Sequence, residues 1–324
     1  MPSHHISASP ETIHWGYLSA ALKPSVIIDS GDTVVIDTVS GGPGYLNELG
    51  LELLPEHRLI HEQCKPMFAG HILTGPVGVR GAEPGDVLEV RVLDIKLRYP
   101  WGWNSQLPLR GTLPEDFPNR RIVAIPIDRE RMTAEMPFGP SVPLAPFFGV
   151  MAVAPRPEYG PVSSIEPREY GGNMDNKELG VGSTTFFPVQ TPLALFSTGD
   201  GHAVQGDGEV CLTALETSLT GTFQLILHKR IALDLPISKT DTHIITMAFH
   251  EDLDDAAKIA LRKMIALLSK TQGWSEQDAY TFCSLACDLH VTQLVDGNKG
   301  IHAMVRRELL ATDISMAQLG ASLR

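Results

Sequence analysis

Residues 171–211, GGNMDNKELGVGSTTFFPVQTPLALFSTGDGHAVQGDGEVC, constrain the chain more than any other stretch. Acidic and amide side chains are set there between glycines and apolar strand formers. Burying so many polar groups without partners is costly, so they must either face water or converge on something that compensates them. Convergence would build a site for chemistry.

The stretch divides by local preference. Asn173, Asp175 and Asn176 fall in a glycine-led turn. Thr184, Thr185, Phe186, Phe187 and Val189 then favour a pleated surface, which predicts a strand over 183–188. A second strand is expected at 193–197, ending in the loops Gly199-Asp200-Gly201-His202 and Gln205-Gly206-Asp207-Gly208-Glu209, where glycine permits positive φ. If the chain is extended there, Asp207 and Glu209 point to one side, with His202 close enough to join them. The same parity through Val210, Leu212 and Ala214 makes Glu216 a candidate buried acid.

Elsewhere the period is mostly two. Short strands are expected within 25–38, around Asp29-Ser30-Gly31-Asp32, and antiparallel strands within 71–99, around the turn Ala82-Glu83-Pro84-Gly85-Asp86. His71 stands before them, either as one wall of a site or as a surface histidine. Residues 99–120 read as a long proline-rich loop, with Trp101 and Trp103 either shaping a pocket or packing the loop down. The apolar run Phe147–Pro155 predicts a core strand. Near the C-terminus the period changes: apolar residues spaced by three and four predict a helix over 252–269, with Asp252, Asp254 and Asp255 in its first turns. A second helix, capped by Ser275, is expected to reach about Leu289, and strand-like IHAMVRRELL and a polar tail follow. The fold class expected is mainly β with a smaller α+β portion: an antiparallel β-sandwich-like core plus C-terminal helices. One unit over 1–324 is expected, with a β-rich part over about 1–220 and an α/β part over about 221–310.

Composition removes several functions. At 324 residues and 43% hydrophobic content the chain can bury a large core. A formal charge of -12 without any Lys/Arg stripe opposes nucleic-acid binding. No apolar run approaches the about 18 residues of a membrane span, and the N-terminus shows no basic-then-apolar leader, so a cytoplasmic location is expected. Cys283 and Cys287 share a helix face, but packing suits them better than zinc; Cys64 and Cys211 stand alone. There is no GxSxG elbow and no phosphate loop, and GDGHAVQGDG lacks the strand–glycine–helix setting of a dinucleotide fingerprint.

Asp175, His202, Asp207 and Glu209 offer nitrogen and hard oxygen ligands, a mixture that suits Zn²⁺ or another divalent ion. Such an ion would polarise a carbonyl and acidify water, which is the chemistry of acyl-bond hydrolysis. Two further readings stay open on these residues: a metal-free carboxylate hydrolase, and a binding or structural cluster. Cys211 beside Glu209 and Lys177 raises a thiol route as well, although core packing is its favoured role.

The central stretch resembles the acetamidase/formamidase family. So do TGPVGVRGAEPGDVLEVRVLDI at 74–95, FGVMAVAP at 148–155 and SEQDAYTFCSLACDLHVTQLVD at 275–296, and the resemblance covers roughly residues 10–310. It implies hydrolysis of a short linear amide to a carboxylate and ammonia, on a mainly β architecture with a smaller α/β portion. The matching polar positions are Asn173, Asp175, His202, Asp207 and Glu209, with Lys177 and Glu216 beside them. The expected roles are Asp175, His202 and Asp207 as ligands to a divalent metal, Zn²⁺ first and Ca²⁺ second. Glu209 or Asp207 would move protons, and Asn173 or Lys177 would steady the negative oxygen. The expected partner is a small neutral amide, on a homo-oligomer. Phe186, Phe187, Leu212, Cys283 and Cys287 depart from the family's pattern, which bears on the identity of that amide.

Overall fold

A computed structural model describes residues 3–231 and 233–313. The polar tail expected after Leu310 lies outside the described residues from position 314 onward. Two large, mainly antiparallel sheets face each other. The first has nine strands, in the order Ser3–Ile6, Thr33–Asp37, Leu219–His228, Val87–Leu97, Thr184–Pro188, Ile237–Lys239, His243–His250, Lys299–Arg306 and Cys287–Gln293. The second runs from Ser141–Pro143 through Thr133–Glu135, Arg121–Asp128, Trp101–Gln106, Leu215–Glu216, Phe196–Val204 and Phe147–Ala152 to Gly171–Asn173. Ile72–Val79 joins it on Phe196–Val204 and carries Ile13–Trp15 and Val26–Ile28.

The main core lies between the sheets. Val34, Val90, Phe187 and Phe223 come from one sheet and Val77, Phe148, Val150 and Phe196 from the other, all buried in one cluster. The strand His243–His250 shows how the period-two pattern serves two layers. Its Ile245 and Met247 enter the sandwich, while Ile244 and Ala248 pack under the helices Leu253–Gln272 and Glu276–Ala286. Asp252 caps the long helix by accepting from Asp255 N, and Ser275 caps the next by accepting from Asp278 N. Cys283 and Cys287 pack in the helix-covered cluster. The fold is thus the expected β-sandwich with C-terminal helices.

Three local expectations fail for physical reasons. Trp101–Gln106 is a strand, not part of a loop, and pairs antiparallel with Arg121–Asp128, which buries Trp101 and Trp103 on one face. The strand expected at 193–197 begins at Phe196 and continues to Val204. Its glycines are not turn residues: a Cβ on Gly199 would stand 2.5 Å from Ile72 O, and one on Gly201 2.4 Å from Thr217 O, so they allow close backbone approach. The second helix stops at Ala286, because from Cys287 the chain is taken into the sheet beside Lys299–Arg306.

Candidate active site

Continuation of the strand through Asp200 and His202 puts these two side chains on the same face. On the neighbouring strand Gly149 leaves the space they need: a Cβ there would lie 2.4 Å from Asp200 Oδ2, 2.5 Å from Asp175 Oδ1 and 2.9 Å from His202 Cε1. Asp175 follows the strand Gly171–Asn173, with its N–H on Gly149 O. Glu216 arrives as the cross-strand partner of His202. Glu209 comes from the loop after the strand, and Asp296 from the turn after Cys287–Gln293, where its N–H donates to Gln293 Oε1. Six buried ionisable groups therefore meet from distant parts of the chain: Asp175, Asp200, His202, Glu209, Glu216 and Asp296.

His202 is the hub. Its Nε2 lies 3.1 Å from Asp200 Oδ2, 3.2 Å from Glu216 Oε1, 3.9 Å from Asp175 Oδ1 and 4.0 Å from Glu209 Oε1. The other nitrogen is fixed by Gln205, whose amide N–H groups donate to the carbonyls of Asp175 and Thr292. Gln205 Oε1 is therefore the acceptor 2.9 Å from His202 Nδ1, so Nδ1 carries a proton and Nε2 is the atom turned toward the acids. Phe147 closes the ring's flank edge-on.

Electrostatics show how much the arrangement lacks. Burial would lower the pKa of His202, but the Glu216 and Asp200 carboxylates outweigh it and hold the ring well above its usual value. Burial also pushes up Asp175 and Glu209, Asp175 being raised further by Asp296 and Glu209 by Asp175. It raises Glu216 and Asp296 to about 7 each, opposed chiefly by His202 at Glu216 and by the neighbouring Asp175 carboxyl, then His202, at Asp296. Asp200 goes the other way, because His71 and His202 overcome its burial; His71 Nε2 stands 3.8 Å from its Oδ2. Among the described residues no Lys or Arg pairs with any of these acids. Both oxygens of Asp175, Oδ2 of Asp296 and Oδ1 of Asn173 are buried without a hydrogen-bond partner. Asp175, Asp200 and Glu209 also sit at positive φ, near +47°, +55° and +47°, a backbone strain of the kind that persists where the surroundings hold it for a function. Acceptors this numerous, this deep and this poorly supplied with donors fit a divalent cation, and His202, held through its far nitrogen by Gln205, turns Nε2 to where a metal ligand would stand. Asp175, Asp200 and His202 present ligand atoms within 4.8 Å of one another, and so do Asp175, Glu209 and Asp296.

Two expected site residues lie elsewhere. Asp207 does not share a side with Glu209, because Gly208 and Glu209 both take positive φ and break the extended parity. Its carboxylate is instead 3.0 Å from Lys177 Nζ and 3.0 Å from His290 Nδ1, in a partly exposed group that also includes His302. Those contacts overcome its partial burial and lower its pKa. Lys177 is thus occupied with Asp207, and neither lines the cavity above the buried acids. Val210 is exposed, so Glu216 is buried by its pairing in the sheet and not by a continuous alternation from Val210. Cys211 Sγ lies against Asn104 and Thr213 O, on a second cavity of ≈ 220 Å³. Sequence reasoning missed Asp200 as a member, although its spacing of two from His202 was the available signal. It also missed Asp296, which no local pattern marks.

A cavity of ≈ 340 Å³ opens onto Asn173, Asp200, Glu209, Glu216 and Asp296. The sequence model of the Acetamidase/Formamidase family matches residues 63–160 and 160–306. A formamidase of Methylophilus methylotrophus is 28% identical over 193 residues, covering 43% of this chain and 47% of that protein. The crystal structure of an acetamidase from Bacillus halodurans superposes with a TM-score of 0.82 at 30% identity, over 95% of this chain and 100% of that one. An acetamidase structure from Yersinia enterocolitica gives 0.84 at 28% identity, over 96% and 94% of the two chains. The match spans about half the length of the curated relatives.

Proposed function

We propose, because this chain belongs to the acetamidase/formamidase family, that it hydrolyses the carbon–nitrogen bond of a small neutral amide, giving a carboxylate and ammonia. The observation that carries the reading is His202, its ring held by Gln205 through Nδ1 and its Nε2 surrounded by four carboxylates within 4.0 Å. Asp175, Asp200 and His202 would hold a divalent ion, Zn²⁺ first and Ca²⁺ second, with Asp296 adjoining. When bound, such an ion supplies Lewis acidity toward a carbonyl and makes water easier to deprotonate.

The chain's own groups account for the proton movements. Glu209 lines the cavity, and its burial favours a group that takes a proton from attacking water and returns it to the departing nitrogen. Glu216, which accepts from Ala214 N and the Ser40 hydroxyl, keeps His202 in place and balances its charge. The Asn173 amide, buried on the cavity wall, supplies an N–H to the carbonyl oxygen as it turns negative. Lys177 and Asp207 support the loop next to this centre. A cytoplasmic homo-oligomer completes the reading, on the acidic charge, the free cysteines and the exposed Leu109, Leu113, Phe117 and Val210; light scattering after size exclusion tests the assembly.

Metal analysis of the purified protein, paired with ammonia release before and after chelation, tests the mechanism. Activity should fall with the metal and return on adding Zn²⁺ or Ca²⁺; full turnover in verified metal-free protein overturns the metal role. Cys211→Ala should retain turnover, whereas loss of turnover in a folded, metal-loaded Cys211→Ala would return the thiol route to first place.

A further inference from the structure

We propose that the amide accepted here carries a flat ring of phenyl size or larger on its acyl side, and that Tyr45 and Trp103 hold that ring. The inference rests on the amidase reading above and concerns what the rest of the cavity is for. Its volume of ≈ 340 Å³ is about twice the roughly 150 Å³ of a cavity that takes up benzene. Acetamide and formamide, with a handful of heavy atoms, would leave most of it filled with solvent.

The wall is suited to a ring. Trp103 is the cross-strand partner of Glu216, so the indole stands beside one of the central carboxylates on the same sheet. Tyr45, from the short helix Pro43–Leu49, stacks on it with ring centroids 5.0 Å apart and planes 24° from parallel. Trp15 and Ile72 extend the apolar lining. The lining also carries Ser40, His71, Arg110 and Thr213, but beside the indole and Tyr45 an aromatic ring gains burial against apolar and aromatic surface. Gly41 lets the backbone pass close beside the indole, since a Cβ there would come 3.0 Å from Trp103 Nε1.

The test compares ammonia release from formamide, acetamide and phenylacetamide by the purified protein loaded with a divalent metal. Phenylacetamide should exceed acetamide in kcat/KM by at least about tenfold, the scale of discrimination that added apolar groups give in a fitted pocket. Tyr45→Ala should shrink that ratio at least about fivefold, mainly through the KM of phenylacetamide. Trp103→Ala should do the same, but because Trp103 is buried, the half-buried Tyr45 is the deciding position, with thermal melting to confirm folding. Acetamide or formamide turned over as well as phenylacetamide overturns the ring inference and leaves the amidase reading standing. An unchanged ratio in folded Tyr45→Ala overturns the assignment of the wall. Ammonia from none of the three overturns the amidase reading itself, and the inference with it.

Discussion

His202 depends on a residue that touches no substrate. Gln205 fixes the ring because its own amide is oriented by two backbone carbonyls, one of them from Thr292, far along the chain. Replacing it by leucine removes the acceptor for Nδ1–H, and outer partners of this kind are commonly worth about 10–100-fold in metal affinity. Gln205→Leu should therefore weaken Zn²⁺ binding by that factor in a chelator competition, with the fold retained by circular dichroism; unchanged affinity would remove Gln205 from the scheme. A second residue-scale prediction concerns acid. Burial lowers His14 to about 4 and lowers His57 and His302 to about 3, so each is held neutral in the fold. Their ring nitrogens are engaged by Tyr17 O and Ser197, by Tyr99 and Gly41 O, and by Thr292 respectively. The unfolded chain takes up these protons near pH 6.5, which the folded chain refuses until far lower, so the contribution of these three rings to stability falls as pH drops below about 6.5, while the raised acids Asp175, Glu209, Glu216 and Asp296 pull the other way. The melting temperature of His57→Gln relative to the parent chain should therefore rise as pH falls from 6.5 to 4; a difference that does not change with pH would contradict the buried neutral His57 ring.

Among the elements, the adjoining strands Phe147–Ala152 and Phe196–Val204 decide the site through what they omit. Gly149 has ordinary backbone, and its lack of a side chain makes room for Asp175, Asp200 and His202. Gly149→Ala should keep the fold but reduce metal binding and turnover at least about tenfold, since a forced shift of even a fraction of an ångström spoils a fixed constellation. Gly44→Ala is the control, because a Cβ there meets nothing within 4 Å. The alternating strands and the three-and-four spacing of the long helix were legible because side-chain parity and helical period are local properties. The strand through Asp200 was not: its glycines look like turn signals until the strand that presses against them is known. The same blindness placed Asp207 beside Glu209, since two positive φ values in a short loop reverse a parity that an extended chain would keep.

For the whole molecule, the nine-stranded sheet takes strands from residue 3 to residue 306, and so joins the β-rich part to the helical one. We propose that the two are one cooperative unit, and urea unfolding followed by fluorescence and by circular dichroism should give coincident single transitions. Separate midpoints would divide them. Divalent metal should raise that midpoint and a chelator lower it, because the ion relieves repulsion among buried carboxylates only in the folded chain. By itself the sequence determined the β-sandwich with C-terminal helices, the family, and the presence of a polar cluster around Asp175, His202 and Glu209, because periodicity and motif are written along the chain. Only the tertiary structure brought in Asp200 and Asp296, set the expected buried acid Glu216 against His202, moved Asp207 and Lys177 aside, and chose Trp103 over Trp101 for the cavity wall. Those outcomes depend on which strands lie next to each other, and neighbours in a sheet are set by packing the whole core.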